Sequence, residues 1–144
     1  MLRERIQTER GFSLVEVLIV ILIIGLLAAI AIPAFLNQRE KGQDSSAKSM
    51  SRNAAAAAIA VANGDSGTFS GMTIGDMQAV EPSLNDGGSV DTVAALVGAP
   101  GADTFTVTTK SKSGAYFTVS RDSGTTYRCS SSAAPGAACA ANDW

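Results

Sequence analysis

The sequence predicts an α+β chain: a long N-terminal α-helix, membrane-spanning in its first half, packed against a small antiparallel sheet of three to four strands. Three observations predict it. Val17 to Ile32 holds no charge, hydroxyl or amide. Residues 37–63 then continue in strong helix formers with a recurring stripe of small residues. After Thr104, Phe and Val alternate with Thr and Ser, the period of a half-buried strand.

The apolar span covers residues 12–36, where only Ser13 and Glu16 interrupt the hydrocarbon character. As a helix it would rise roughly 37 Å at about 1.5 Å per residue, more than the hydrocarbon core of a bilayer at about 30 Å. Before it, residues 1–11 carry Arg3, Arg5 and Arg10 against Glu4 and Glu9. This positive flank predicts a cytoplasmic N-terminus and export of everything after Leu36. Of the 11 basic and 13 acidic residues, the chain after residue 11 keeps 8 and 11, a net charge of −3. That balance does not point to a nucleic-acid partner held by broad electrostatics.

Residues 37–63 form the helix continuation. Gln38, Arg39, Glu40, Lys41 and Ala54 to Ala58 all favour helix, no proline follows Pro33 within the segment, and Asn63-Gly64 supplies the stop. Ala47, Met50, Ala54, Ala58 and Val61 fall on one face at three- and four-residue spacing. Side chains that small let a sheet approach closely; an exposed alanine-rich spacer is the alternative.

Residues 64–144 form the globular head. Thr104 to Lys110, Ala115 to Arg121 and Thr125 to Cys129 read as strands of an antiparallel meander, with turn chemistry at Ser113-Gly114 and Asp122-Ser123-Gly124. Its inward face is expected to be Phe105, Val107, Phe117, Val119, Tyr127 and Cys129. Residues 64–103 read as a loop-rich connection with a short helix around Asp76 to Val80. The two cysteines, Cys129 and Cys139, would sit in an exported domain, which predicts a disulfide closing a C-terminal loop; two unpaired buried thiols are the alternative. A head this small gains from packing on the helix and from such a staple.

Enzymatic function has little support. The chain has no His, so His-dependent triads and His-ligated metal sites are excluded. No P-loop pattern occurs and the cysteines lack CxxC spacing. Neither a catalytic residue nor a metal ligand or cofactor is predicted; a structural or interaction protein is the better class.

The most specific signal is Gly11-Phe12-Ser13-Leu14-Val15-Glu16 running directly into VLIVILIIGLLAAIAIP. On these residues the chain resembles the type IV pilin family over 11–36. The resemblance implies that residues 1–11 are a leader, that a prepilin peptidase cuts between Gly11 and Phe12, and that the new amine of Phe12 is methylated. A glycine before the cut lets a protease approach the backbone closely. A carboxylate within an apolar span costs about 2.5–3.5 kcal/mol on insertion scales and is a functional hypothesis by default. The resemblance supplies the role: Glu16 neutralises the amine of a neighbouring subunit's Phe12 during assembly. The other reading of Glu16 is a carboxylate that only reaches headgroup water.

Gly25 and Pro33 are helix breakers within or just after the span. In filaments of such proteins the helix between these positions can loosen; a mild kink without a role is the bland alternative. The implied protein is a filament subunit, polymerised through its N-terminal helix for adhesion, motility or DNA uptake. Its implied partners are further copies of itself, the peptidase, an inner-membrane assembly platform and motor ATPases. It would be a single-pass precursor in the cytoplasmic membrane, then an extracellular filament. Pseudopilins of type II secretion or competence systems share the motif and are the near alternative. A secretory signal peptide cut at Ala29-Ile30-Ala31 is the rival, opposed by Glu16 and by a helical pattern that continues through the supposed cut.

Overall fold

The computed structural model describes residues 11–85, 90–97, 99–131, 139 and 143–144. Two compact units meet in sequence at Gln38 and Arg39, and helix α1 (Leu14–Gly64) contributes turns to both. In the first unit α1 is aliphatic on every side. Its first bonds run from the amides of Glu16 and Val17 to the Ser13 carbonyl, at 3.0 and 3.3 Å, which makes Ser13 the capping position. Gly25 and Pro33 both lie inside this helix. Pro33 has no N–H, so the carbonyl one turn back, on Ala29, lacks its usual helical donor. An added Cβ at Gly25 would meet nothing within 4 Å.

The second unit is built on the remaining turns of α1. Ala47, Ser51, Ala54, Ala55, Ala57, Ala58 and Ala62 are buried along it, with Met50 and Val61 partly covered beside them. The predicted stripe is therefore present and wider than expected. Ser51 enters it because its hydroxyl donates to the Lys48 carbonyl at 3.0 Å, satisfying the polar group within its own helix. The helix ends at Gly64, at the predicted Asn63-Gly64 stop. Ser66 and Gly67 take the positive φ values, 59° and 78°, and the Gly67 amide bonds the Ala62 carbonyl at 2.8 Å.

Residues 64–103 hold more order than a loop-rich connection. The short helix α2 (Ile74–Val80) starts two residues before the expected position. A 3₁₀ turn at Pro82–Asn85 follows, and then strand β1 (Val90–Leu96). It joins β2 (Phe105–Ser111), β3 (Tyr116–Asp122) and β4 (Thr125–Ser131) in a sheet of order β1-β2-β3-β4, antiparallel throughout. The β3–β4 connection is a two-residue turn with φ of 49° at Ser123 and 87° at Gly124, as a primed turn requires.

Register sorts the side chains into two faces. Val107 opposes Val119, Phe105 opposes Arg121 and Thr109 opposes Phe117. This face meets α1: Phe105, Val107, Phe117 and Val119 are buried, and the Thr109 hydroxyl donates to the Ala47 carbonyl at 2.9 Å. Across the next pair, however, Val119 opposes Arg128, while Thr118 and Ser120 oppose Cys129 and Tyr127. Directly opposed residues share a face, so Tyr127 and Cys129 lie on the far side, and only half-buried. Four of the six residues expected on the inward face are there; these two are not. The two-residue turn pairs even-numbered β3 positions with odd-numbered β4 positions, which moves both across the sheet.

The far face is closed in part by Cys139. It forms the expected disulfide with Cys129, the Cα atoms 5.6 Å apart. Its amide donates to the Ser120 hydroxyl at 2.9 Å, and its sulfur lies 3.5 Å from the Thr118 carbonyl. This accounts for the burial of Thr118 and Ser120 on a face without an aromatic core. Most of the loop that the disulfide closes lies outside the described residues.

Candidate processing and assembly site

Gly11, Phe12 and Ser13 precede the helix and take no regular structure. The Gly11–Phe12 bond is thus two residues outside the first helical hydrogen-bonded turn. An added Cβ at Gly11 would meet nothing within 4 Å, and Phe12 is 78% exposed. Backbone of this kind is open to an approaching enzyme. Residues 1–10 of the expected leader lie outside the described residues.

Glu16 occupies the first turn of α1. A carboxylate there interacts favourably with the positive end of the helix dipole, by about 0.3–1 kcal/mol at an exposed site. The rest of the span is hydrocarbon. Among the described residues, every exposed large apolar side chain except Val80 lies between Phe12 and Leu36. The most apolar window of this helix has a mean hydropathy of 3.1 and buries none of its residues within the chain. It is the one helix among the described residues long and apolar enough to cross a membrane. Each central Leu, Ile, Phe or Val favours insertion by about 0.3–0.6 kcal/mol. Their number outweighs the cost of Glu16, so the charge does not prevent membrane residence.

The structure therefore groups Gly11, Phe12 and Glu16 within the first helical turn and the residues before it. Gly25 and Pro33 lie further along the same helix, and Cys129 and Cys139 belong to the head. Sequence reasoning missed the contribution of Asp143 and Trp144, which close against β4 and α1. A single Trp in the whole chain was the available signal. Their chemistry is taken up below.

An accessible glycine junction, an acidic residue in the first turn and a bare aliphatic helix together define the class: a chain led by a helix long and apolar enough to cross a membrane, which the rest of the described residues leave uncovered. Residues 6–32 match the prokaryotic N-terminal methylation motif. The chain is 52% identical over 40 residues to the type IV major pilin protein PilA of Myxococcus xanthus (strain DK1622), a match covering 28% of this chain and 18% of that protein. It is 51% identical over 41 residues to the fimbrial protein EcpC of Eikenella corrodens, covering 28% and 27%. The matched stretch thus spans only about a fifth to a quarter of these relatives' length. No solved structure matches the chain. Over this N-terminal stretch the chain is similar to type IV pilin and fimbrial proteins.

Proposed function

We propose that this protein is a structural subunit of a type IV pilus filament. The observation that carries the reading is the aliphatic helix from Leu14 to Leu36, exposed on the isolated chain and led by Gly11, Phe12 and Glu16. Residues 1–11 are the leader. A prepilin peptidase cuts after Gly11, and the released Phe12 amine is methylated. The precursor rests in the cytoplasmic membrane with its N-terminus inside, and residues 37–144 lie outside. An assembly platform and motor ATPases then draw the helix into a filament.

Glu16 sets the axial register of that filament. Inside a helical bundle a lone carboxylate is costly, and so is a lone ammonium; each relieves the other when a neighbour's Phe12 amine lies alongside. Large aliphatic side chains fill the remaining contacts, at about 1.5–3 kcal/mol for each one fully buried. Gly25 and Pro33 are where the helix loosens under tension, since one lacks a side chain and the other lacks a donor.

Mass spectrometry of the mature protein tests the processing step. A polypeptide starting at methylated Phe12 is expected, and a start near Ile32 would show a secretory signal peptide instead. Electron microscopy of sheared filaments, with peptide identification of the main component, tests the polymer.

A further inference from the structure

Among the described residues, strand β4 ends the sheet, with β3 on one side only. An edge strand offers its outward amides and carbonyls to any strand that comes near, a hazard for molecules held at high local concentration. On β4 the outward groups at positions 128 and 130 are taken. The Asp143 amide donates to the Arg128 carbonyl at 3.0 Å. The Asp143 carboxylate accepts from the Ser130 amide at 2.9 and 3.1 Å and lies 3.5 Å from the Ser130 hydroxyl. One residue thus makes both bonds that a neighbouring strand would make, its carboxylate standing in for the second carbonyl.

Trp144 fixes this residue in place. Its ring stands edge-on to Phe117 with centroids 5.7 Å apart. The Lys48 ammonium and the Arg52 guanidinium approach the same ring at 5.7 and 5.1 Å. Among the described residues the buried indole nitrogen has no hydrogen-bond partner, and packing and the two cations hold the ring. The Cys129–Cys139 disulfide ties Cys139, four residues before Asp143, to the same strand.

We infer that Asp143 and Trp144 form a latch that occupies a strand-docking surface on the outer edge of β4 and denies it to a second copy of this chain. Cys139 is held to β4 by the disulfide, Asp143 occupies the edge, and Trp144 anchors it to α1. Sheet-to-sheet pairing between heads is thereby suppressed. The inference rests on the filament reading only for its biological value, because the latch itself is a property of the single chain.

The test uses the full chain in detergent micelles with a photo-crosslinking residue at Thr126, on the same edge. In the Asp143→Ala, Trp144→Ala double variant, amide hydrogen exchange at Ser130 is expected to rise roughly tenfold or more, as for a local opening. Crosslinked dimers through position 126 should appear at the same time. The conservative Asp143→Asn, Trp144→Phe variant keeps an acceptor and an aromatic ring, and should retain both the protection and the low dimer yield. Protection of the Val107 and Val119 amides reports whether each variant is folded. Unchanged exchange at Ser130 in a folded alanine variant overturns the latch, and fast exchange without dimers overturns its blocking role. Should the alanine variant not fold, the conservative variant decides: loss of its Ser130 protection, or dimers at position 126, counts against the proposal. None of these readouts needs a filament, so failure of the pilus reading would be seen separately.

Discussion

The two halves of α1 use the same backbone for opposite purposes. Before Gln38 the helix carries Leu, Ile, Val and Phe, all exposed; after Arg39 it carries Ala at nearly every buried position. In a helix that completes its own core the large side chains would be inside. Here the large ones face outward and the small ones inward. Small residues suit a surface approached by a sheet, whose Thr109 hydroxyl reaches the Ala47 carbonyl at 2.9 Å. Large aliphatic residues suit a surface that lipid or other helices cover, where each buried side chain adds favourable contact. The difference teaches that one half satisfies itself and the other is incomplete alone.

Breaking the incomplete half should cost the assembly without unfolding the head. Glu16→Ala is expected to abolish filaments on the cell surface, while the melting temperature of the purified protein stays unchanged. Sheared-filament yield and thermal denaturation read the two outcomes. Gly11→Val should block the proposed cut and leave the precursor at full mass. Retained cleavage would weaken the argument from backbone access.

Breaking the self-satisfied half should do the reverse. Ala58 is fully buried, and Ala58→Leu inserts a side chain where the helix meets the head core. Overpacking of this kind costs about 1–3 kcal/mol or more, enough to lower the melting temperature by several degrees. A Leu added at Ala29, in the apolar half, should leave it unmoved. The Cys129→Ser, Cys139→Ser pair tests the far face. Loop closure over the sequence separation of 10 is worth about 3 kcal/mol in the chain-entropy description. Destabilisation by chemical denaturation is the expected readout.

How much of this was legible depended on how local the code was. The motif from Gly11 to Glu16 and the aliphatic run are read residue by residue, and the structure places them at the head of a helix as the sequence indicates. The alanine stripe was legible from its spacing, although Ser51 was not, because its polarity is satisfied inside the helix. Strand β1 was missed for a physical reason. Its register against β2 shifts between Val90 and Thr92 and again between Thr92 and Ala95, so no sustained period of two exists to be read. Alternation along Thr125 to Cys129 puts Tyr127 and Cys129 on one face but does not say which face of the sheet that is. The two-residue turn at Ser123-Gly124 carried the correct parity, since it opposes Asp122 to Thr125. Asp143 and Trp144 act through contacts distant in sequence, which no local pattern encodes.

The smallest expected effect lies at α2 and follows from a single cap. Thr73 stands at the N-cap, with its hydroxyl 3.3 Å from the Asp76 amide that donates to it, and the Asp76 carboxylate accepts from the Thr73 amide at 2.8 Å. The Thr73 hydroxyl also donates to that carboxylate at 2.7 Å. These hydrogen bonds, the side-chain one first, hold the Asp76 pKa below its ordinary value of 3.8. A folded-state pKa lower than the unfolded one means that the bonds stabilise the protein above about pH 4 and that this contribution disappears as the pH falls through the folded value. Because Asp76 is fully exposed, solvent screens the effect and the change in melting temperature should be slight. Asp76→Asn should flatten that part of the pH profile, and Thr73→Ala should do the same while also removing the cap. An unaltered acid limb in both variants would mean that the charge at α2 is not what the cap responds to, and the helix would then depend on Met77, fully buried at its centre, for its place in the head.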